Sequence, residues 1–176
     1  ISIHFFLLSF AADDLIERHV LELRYFHFQR ANEIRERKNY NTICLIHFQL
    51  QNGNTIPVLH RSYYLESLPN GSIWLSLCTY TPYIETPTLT SGQIVNNKNG
   101  KVVQQKEYQL YDNLLLSPRE KEVLTLLAKG HSSKQIADIL NISTNTVYRH
   151  RQNILSALQV SNTAAAIQVG FRLNII

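Results

Sequence analysis

The last sixty or so residues carry the feature that most limits what this chain can fold into. Short amphipathic segments follow one another there, and each opens on a capping residue. Ser117-Pro118-Arg119-Glu120 combines a serine N-cap, a proline at the first helical position and an acid in the first turn. Ser117 and Glu120 also have the spacing of a capping box. Val123, Leu124, Leu127 and Ala128 form an apolar stripe, and Lys129-Gly130 ends the segment. Ser132 or Ser133 caps a second, shorter helix with Ile136, Ala137, Ile139 and Leu140 inward. Asn141-Ile142-Ser143 is a tight turn, and Ser143 or Thr144 caps a third helix whose apolar face is Val147, Ile154, Leu155 and Leu158. Val160-Ser161-Asn162 breaks the chain before a fourth helix from Thr163 to Leu173.

Two helices around a short turn, the second longer and basic, make a helix-turn-helix. Such a helix enters the major groove only if its outward face is polar. Here that face carries Asn145, Tyr148, Arg149, Gln152 and Ser156. No acid follows Asp138, as phosphate proximity requires. The charge agrees: residues 1–113 hold ten Lys/Arg and ten Asp/Glu, and residues 114–176 hold seven against three, so the whole excess of +4 lies in the tail.

The segment strongly resembles the LuxR-type helix-turn-helix output domain. The resemblance is carried by Leu116-Ser117-Pro118-Arg119-Glu120-Lys121-Glu122-Val123-Leu124, Gly130 and Ser133-Lys134-Gln135-Ile136-Ala137. It continues through Leu140-Asn141-Ile142-Ser143, Thr146-Val147, His150-Arg151-Gln152-Asn153-Ile154-Leu155 and Leu158-Gln159-Val160. The outward face makes Tyr148, Arg149, Gln152 and Asn145 the base-contact candidates; Tyr148 stands where the family often has a base-reading lysine, so that lysine contact does not carry over. Ser133, Lys134, Thr144 and Thr146 are the expected phosphate contacts, and His150 either donates to phosphate or packs at the helix junction. Arg151 falls on the inward face and needs an anion, for which Glu122 is the expected partner. Ala164, Ala165 and Ala166, with Val169 one turn on, are small enough either to pack on the first helix of their own domain or to form a dimer seam on DNA, and the resemblance favours the seam.

The first half has a different texture. Asp13 and Asp14 are N-cap residues for an amphipathic helix over about residues 14–30, with Ile16, Val20, Leu23 and His27 on one face. Residues 41–50, 56–64 and 73–83 alternate as strands, joined by turns at Gln51-Asn52-Gly53-Asn54 and Leu68-Pro69-Asn70-Gly71-Ser72. A helix feeding a three-stranded meander resembles the second half of a PAS domain over residues 5–83, with Ala11-Ala12-Asp13-Asp14-Leu15 placed where many PAS domains carry His-Pro-Asp-Asp-Leu. Residues 84–113 read as a connector in which Gln93-Ile94-Val95 and Lys101-Val102-Val103 flank a small hairpin turn. The expected class is therefore α+β: a PAS-like sensing or dimerising module over 1–83, a connector, and an all-α four-helix domain over 114–176.

If the first module holds a ligand, Phe48, Tyr63, Tyr64 and Trp74 are the residues expected to line its cavity. Haem, flavin and nucleotide are not distinguished from no cofactor. The apolar run Phe5–Phe10 has no basic residue before it and reads as a strand or loop rather than a signal peptide. With Met absent and Ile first, the chain reads as a fragment. The histidines 4, 19, 27, 47 and 60 have no metal-ligand spacing, Cys44 and Cys78 make no disulfide framework, and no nucleophile motif is readable. An enzyme, a receiver domain and a pure interaction module are the rivals. The expectation is a bacterial, cytoplasmic regulator without catalysis, binding double-stranded DNA as a homodimer, away from membranes, and controlled by a small-molecule signal. The alternative is a PAS-like interaction adaptor on the same DNA-binding domain.

Overall fold

The computed structural model describes residues 10–50, 53–83 and 91–176. The apolar run before Phe10 and the turn residues Gln51 and Asn52 lie outside them, as does Thr86-Pro87 of the connector. The chain divides into two compact units, residues 1–108 and 109–176.

In the first unit a long helix, α1 (Ala12–Ala31), leads through a 3-10 turn at Ile34–Asn39 into strand β1 (Tyr40–Gln49). β2 (Thr55–Ser67) and β3 (Ile73–Pro82) complete the meander. β4 (Gln93–Asn96) adds a fourth strand on the far edge of β1, giving the order β3-β2-β1-β4 with every pair antiparallel. Among the described residues the sheet thus has four strands rather than the expected three, with β4 pairing the edge of β1 over residues 40–43. The expected small hairpin survives only as a bridge between Val95 and Val102.

Strand alternation puts Thr42, Cys44 and Ile46 on the same face as their partners Ser62, His60 and Val58. All six are buried, and Ile94 joins them from β4. Asp13 and Asp14 do not cap α1. The helix starts at Ala12 with no side-chain cap, and both acids lie in its first turn. Asp14 instead accepts hydrogen bonds from His47, through the backbone N–H and through Nδ1 at 3.0 Å, which ties the helix start to β1. At the other end Tyr25 donates to the Tyr40 carbonyl (2.7 Å), and Gln29 donates to the Arg37 carbonyl (2.8 Å) and to the Tyr25 hydroxyl. The buried arc of α1 is wider than the expected stripe: it includes Leu21, Tyr25 and Phe28 beside Val20 and Leu23.

The short α2 (Gln105–Gln109) ends where the first unit gives way to the second, and the second unit holds α3 (Pro118–Ala128), α4 (Ser133–Leu140), α5 (Thr144–Ala157) and α6 (Thr163–Arg172). Its core is Leu116, Val123, Leu124, Ile136, Val147, Ile154, Leu158, Ala166, Val169 and Leu173. Ile139, expected inward, is exposed.

Candidate nucleic-acid interface

Local chemistry sets each helix start. Ser117 and Glu120 form a complete capping box, and so do Ser132 and Gln135. Ser143 caps α5 through Thr146 N–H, and Asn162 caps α6 through Ala165 N–H. Gly130, at φ +85°, lets the chain leave α3, with its N–H on the Leu127 carbonyl. Asn141 is left-handed (φ 51°), and that single residue turns α4 toward α5.

The outward face of α5 is the expected one. Asn145, Tyr148, Arg149 and Gln152 are all exposed, at helical spacing, and Ser156 extends the row. Lys134 is exposed at the start of α4, and Thr144 and Thr146 are half-buried in the first turn of α5. The Thr146 hydroxyl is 2.8 Å from that of Ser143, so part of its capacity is already used in capping.

Three expectations are corrected. Glu122 pairs with Arg119 (2.8 Å), not with Arg151. Arg151 donates to the hydroxyls of Ser133 (2.7 Å) and Thr163 (2.9 Å), so its anion is replaced by two neutral oxygens at the starts of α4 and α6. Ser133 is consequently buried, and its hydroxyl is occupied by Arg151. Val169 is 1% exposed inside its own unit, so it is unavailable to a seam; Ala165 is half-buried and only Ala164 is open. His150 is half-buried with its Nδ1 enclosed, beside Glu120 of α3.

Arg119 has no marked role in the sequence pattern beyond its place in the first turn of α3. Its second guanidinium nitrogen donates to the Leu140 carbonyl (2.7 Å), one of the acceptors freed where α4 ends. The left-handed Asn141 that follows is the sequence signal that such a carbonyl needs a donor. Arg119 therefore ties the end of α4 to α3, and Arg151 ties α5 to the starts of α4 and α6.

In the first unit the four expected cavity residues do not converge. Trp74 is 67% exposed on the edge strand. Tyr63 and Tyr64 are adjacent in β2 and point to opposite faces. Phe48 lines a small apolar cavity of about 200 Å³ with Phe10, Val58 and Tyr80. A buried polar cluster adjoins that cavity through Tyr80. His60 is fully buried, its Nε2 is 4.0 Å from Glu22, and Arg18 reaches both Glu22 (3.4 Å) and the Tyr80 hydroxyl (3.4 Å). Burial, with help from Arg18, pushes the His60 imidazole down to about 4, and burial pushes the Cys44 thiol up to about 12. Neither group is poised for acid–base or nucleophilic work at neutral pH. Among the described residues no cluster of His, Cys, Asp and Glu could hold a metal, and no helix is long and apolar enough to cross a membrane.

Comparison with known proteins bears on the second unit. The family "Bacterial regulatory proteins, luxR family" matches residues 114–169. The response regulator protein VraR of Staphylococcus aureus is 41% identical over 71 residues, which is 40% of this chain and 33% of that protein. VraR of Staphylococcus epidermidis matches to the same extent. The chain thus spans about a third of the length of these relatives. Among solved structures, the Vibrio cholerae VqmA dimer aligns with 85% of this chain and 62% of its own, at a TM-score of 0.34 and 18% identity. The capped helices, the left-handed turn and the family match agree, and residues 114–169 are a helix-turn-helix domain of the luxR family.

Proposed function

We propose that this protein is a transcriptional regulator whose α5 reads base edges in the major groove and whose first unit is a PAS-like signal-responsive module. The observation that supports the DNA reading best is the face of α5. It presents Asn145, Tyr148, Arg149 and Gln152 to solvent, contains no acid, and lies opposite Arg151, which ties the helix to the starts of α4 and α6. Bases are read by Arg149, Gln152, Asn145 and Tyr148; phosphates are met by Lys134, Thr144 and Thr146. DNA is bound by two copies, because one such domain offers a single recognition helix.

The test is selection of bound fragments from random duplex, followed by anisotropy titrations of the selected and scrambled sequences at several salt concentrations. A regulator of this kind selects a repeated motif and prefers it by at least about a thousandfold. Equal affinity for both duplexes overturns sequence-specific reading. Loss of affinity with salt on both duplexes reports the phosphate part.

A further inference from the structure

We propose that the first unit binds a small organic oxyanion, a carboxylate or phosphate carried on an apolar body, in the cavity between the end of α1 and the β2–β3 turn. The cavity holds about 440 Å³ and is lined by Phe26, Arg30, Arg37, Asn70, Gly71, Ser72 and Ile73. It contains two guanidinium groups and no carboxylate.

Arg37 is 6% exposed, and among the described residues it has no ion-pair partner. The nearby acids are otherwise engaged: Glu33 holds Arg35 at 2.6 Å, and Glu36 holds Lys98 at 3.2 Å. Glu66 borders the neighbouring cavity of about 160 Å³ together with Arg35, Arg37 and Lys38, and makes no ion pair with Arg37. The guanidinium instead donates to the Gly71 carbonyl (2.6 Å), to Ser67 Oγ (3.3 Å) and, through Nε, to the Asn32 carbonyl (3.4 Å). These bonds occupy Nε and Nη1 and leave Nη2 for the cavity. Gly71 has φ +83°, which the turn requires, and a Cβ there would make an ordinary 3.8 Å contact with Nη2, so this nitrogen lies beside the turn that walls the cavity.

A buried cation needs an anion or a full set of acceptors. Arg37 has neutral acceptors on one side and a cavity on the other. Arg30 supplies a second positive charge on the wall of that cavity, with its guanidinium 5.7 Å from the centre of the Phe26 ring. Ser72 N–H donates to Asn70 Oδ1, which leaves the Asn70 amide as a donor and the Ser72 hydroxyl on the wall. Phe26 and Ile73 are the apolar side. Two arginine forks with neutral donors match a carboxylate or phosphate.

Biologically this deepens the signal-responsive reading of the first unit. The experiment contains no DNA, so its failure leaves the DNA reading standing, and the reverse also holds. Calorimetric titration of the whole chain with benzoate, phenyl phosphate and the neutral isostere benzamide tests it. The expected result is saturable one-to-one binding of at least one anion, with benzamide about tenfold weaker or absent. Arg30→Gln, at an exposed position, weakens the anion about tenfold at an unchanged melting temperature. Lys98→Gln, a charge outside the cavity, has no effect. Arg37→Lys keeps the charge without the fork and also weakens binding; if that variant fails to fold, Arg30→Gln carries the test. No saturable binding of either anion, benzamide binding as tightly as benzoate, or equal loss in Lys98→Gln each overturns the proposal.

Discussion

Arg149 and Arg151 sit two positions apart on α5 and meet different surroundings. Arg149 is exposed on the acid-free face, where a bidentate base contact is the use its fork allows. Arg149→Ala is expected to cost about 1–3 kcal/mol on the selected duplex and less on a scrambled one, measured by anisotropy. Arg151 spends its fork on Ser133 and Thr163. Arg151→Ala removes two charge-assisted hydrogen bonds and leaves two hydroxyls without that donor, at roughly 1.5–3 kcal/mol. The second unit should then melt several degrees lower, with affinity reduced on every duplex while the ranking of sequences is kept. A retained melting curve with a changed ranking would assign Arg151 to the bases. Periodicity showed that Arg151 points inward. It did not show which oxygen it meets, because three helices converge there.

At the scale of elements, the capped helices were legible because a cap is a conversation within three or four residues. Ser117–Glu120 is visible in the bare sequence and present in the structure. Where a cap choice was open, Ser132 and Ser143 took the role over Ser133 and Thr144. Asp13 and Asp14 show the opposite case: good capping residues are drawn into the first turn when β1 offers His47 as a partner. Beneath α1 the sheet buries His60 against Glu22, Cys44 and Tyr80. The folded imidazole is depressed to about 4 from an ordinary 6.5, so only the unfolded chain takes up its proton between those values. The stability this gives is present above about pH 6.5 and lost as pH falls toward 4, at up to about 1.4 kcal/mol per pH unit. Glu22, raised by burial, pulls the other way across part of that range, so the comparison must be with a variant. His60→Leu should flatten the acid side of a plot of denaturation midpoint against pH for the first unit. An identical slope in both proteins would show that His60 is not responsible. Ser132→Ala should cost about 1 kcal/mol in the second unit by urea unfolding, since it removes one capping-box half; a change below a few tenths would mean water replaces it.

At the scale of the whole molecule, the DNA reading asks for two recognition helices about 34–36 Å apart on one face of the duplex. Sedimentation with one-half-site and two-half-site duplexes should show a second copy recruited only by the full site. Tight one-to-one binding to a half-site, with no second copy on the full site, would exclude dimeric reading. The sequence by itself determined the four helices of residues 114–176, the acid-free face of α5 and the alternation of β1, β2 and β3. These rest on short-range chemistry: caps, periods of 3.6 and 2, and the conformational reach of Gly and Asn. Only the tertiary structure decided that β4 closes the free edge of β1, that Val169 is core rather than surface, that Trp74 stands in solvent and that Arg37 is buried without a carboxylate. Each of those depends on which distant segment arrives at a given face. Burial and pairing across the sheet or the helix bundle are set by packing between elements, and the pattern within one element does not contain them.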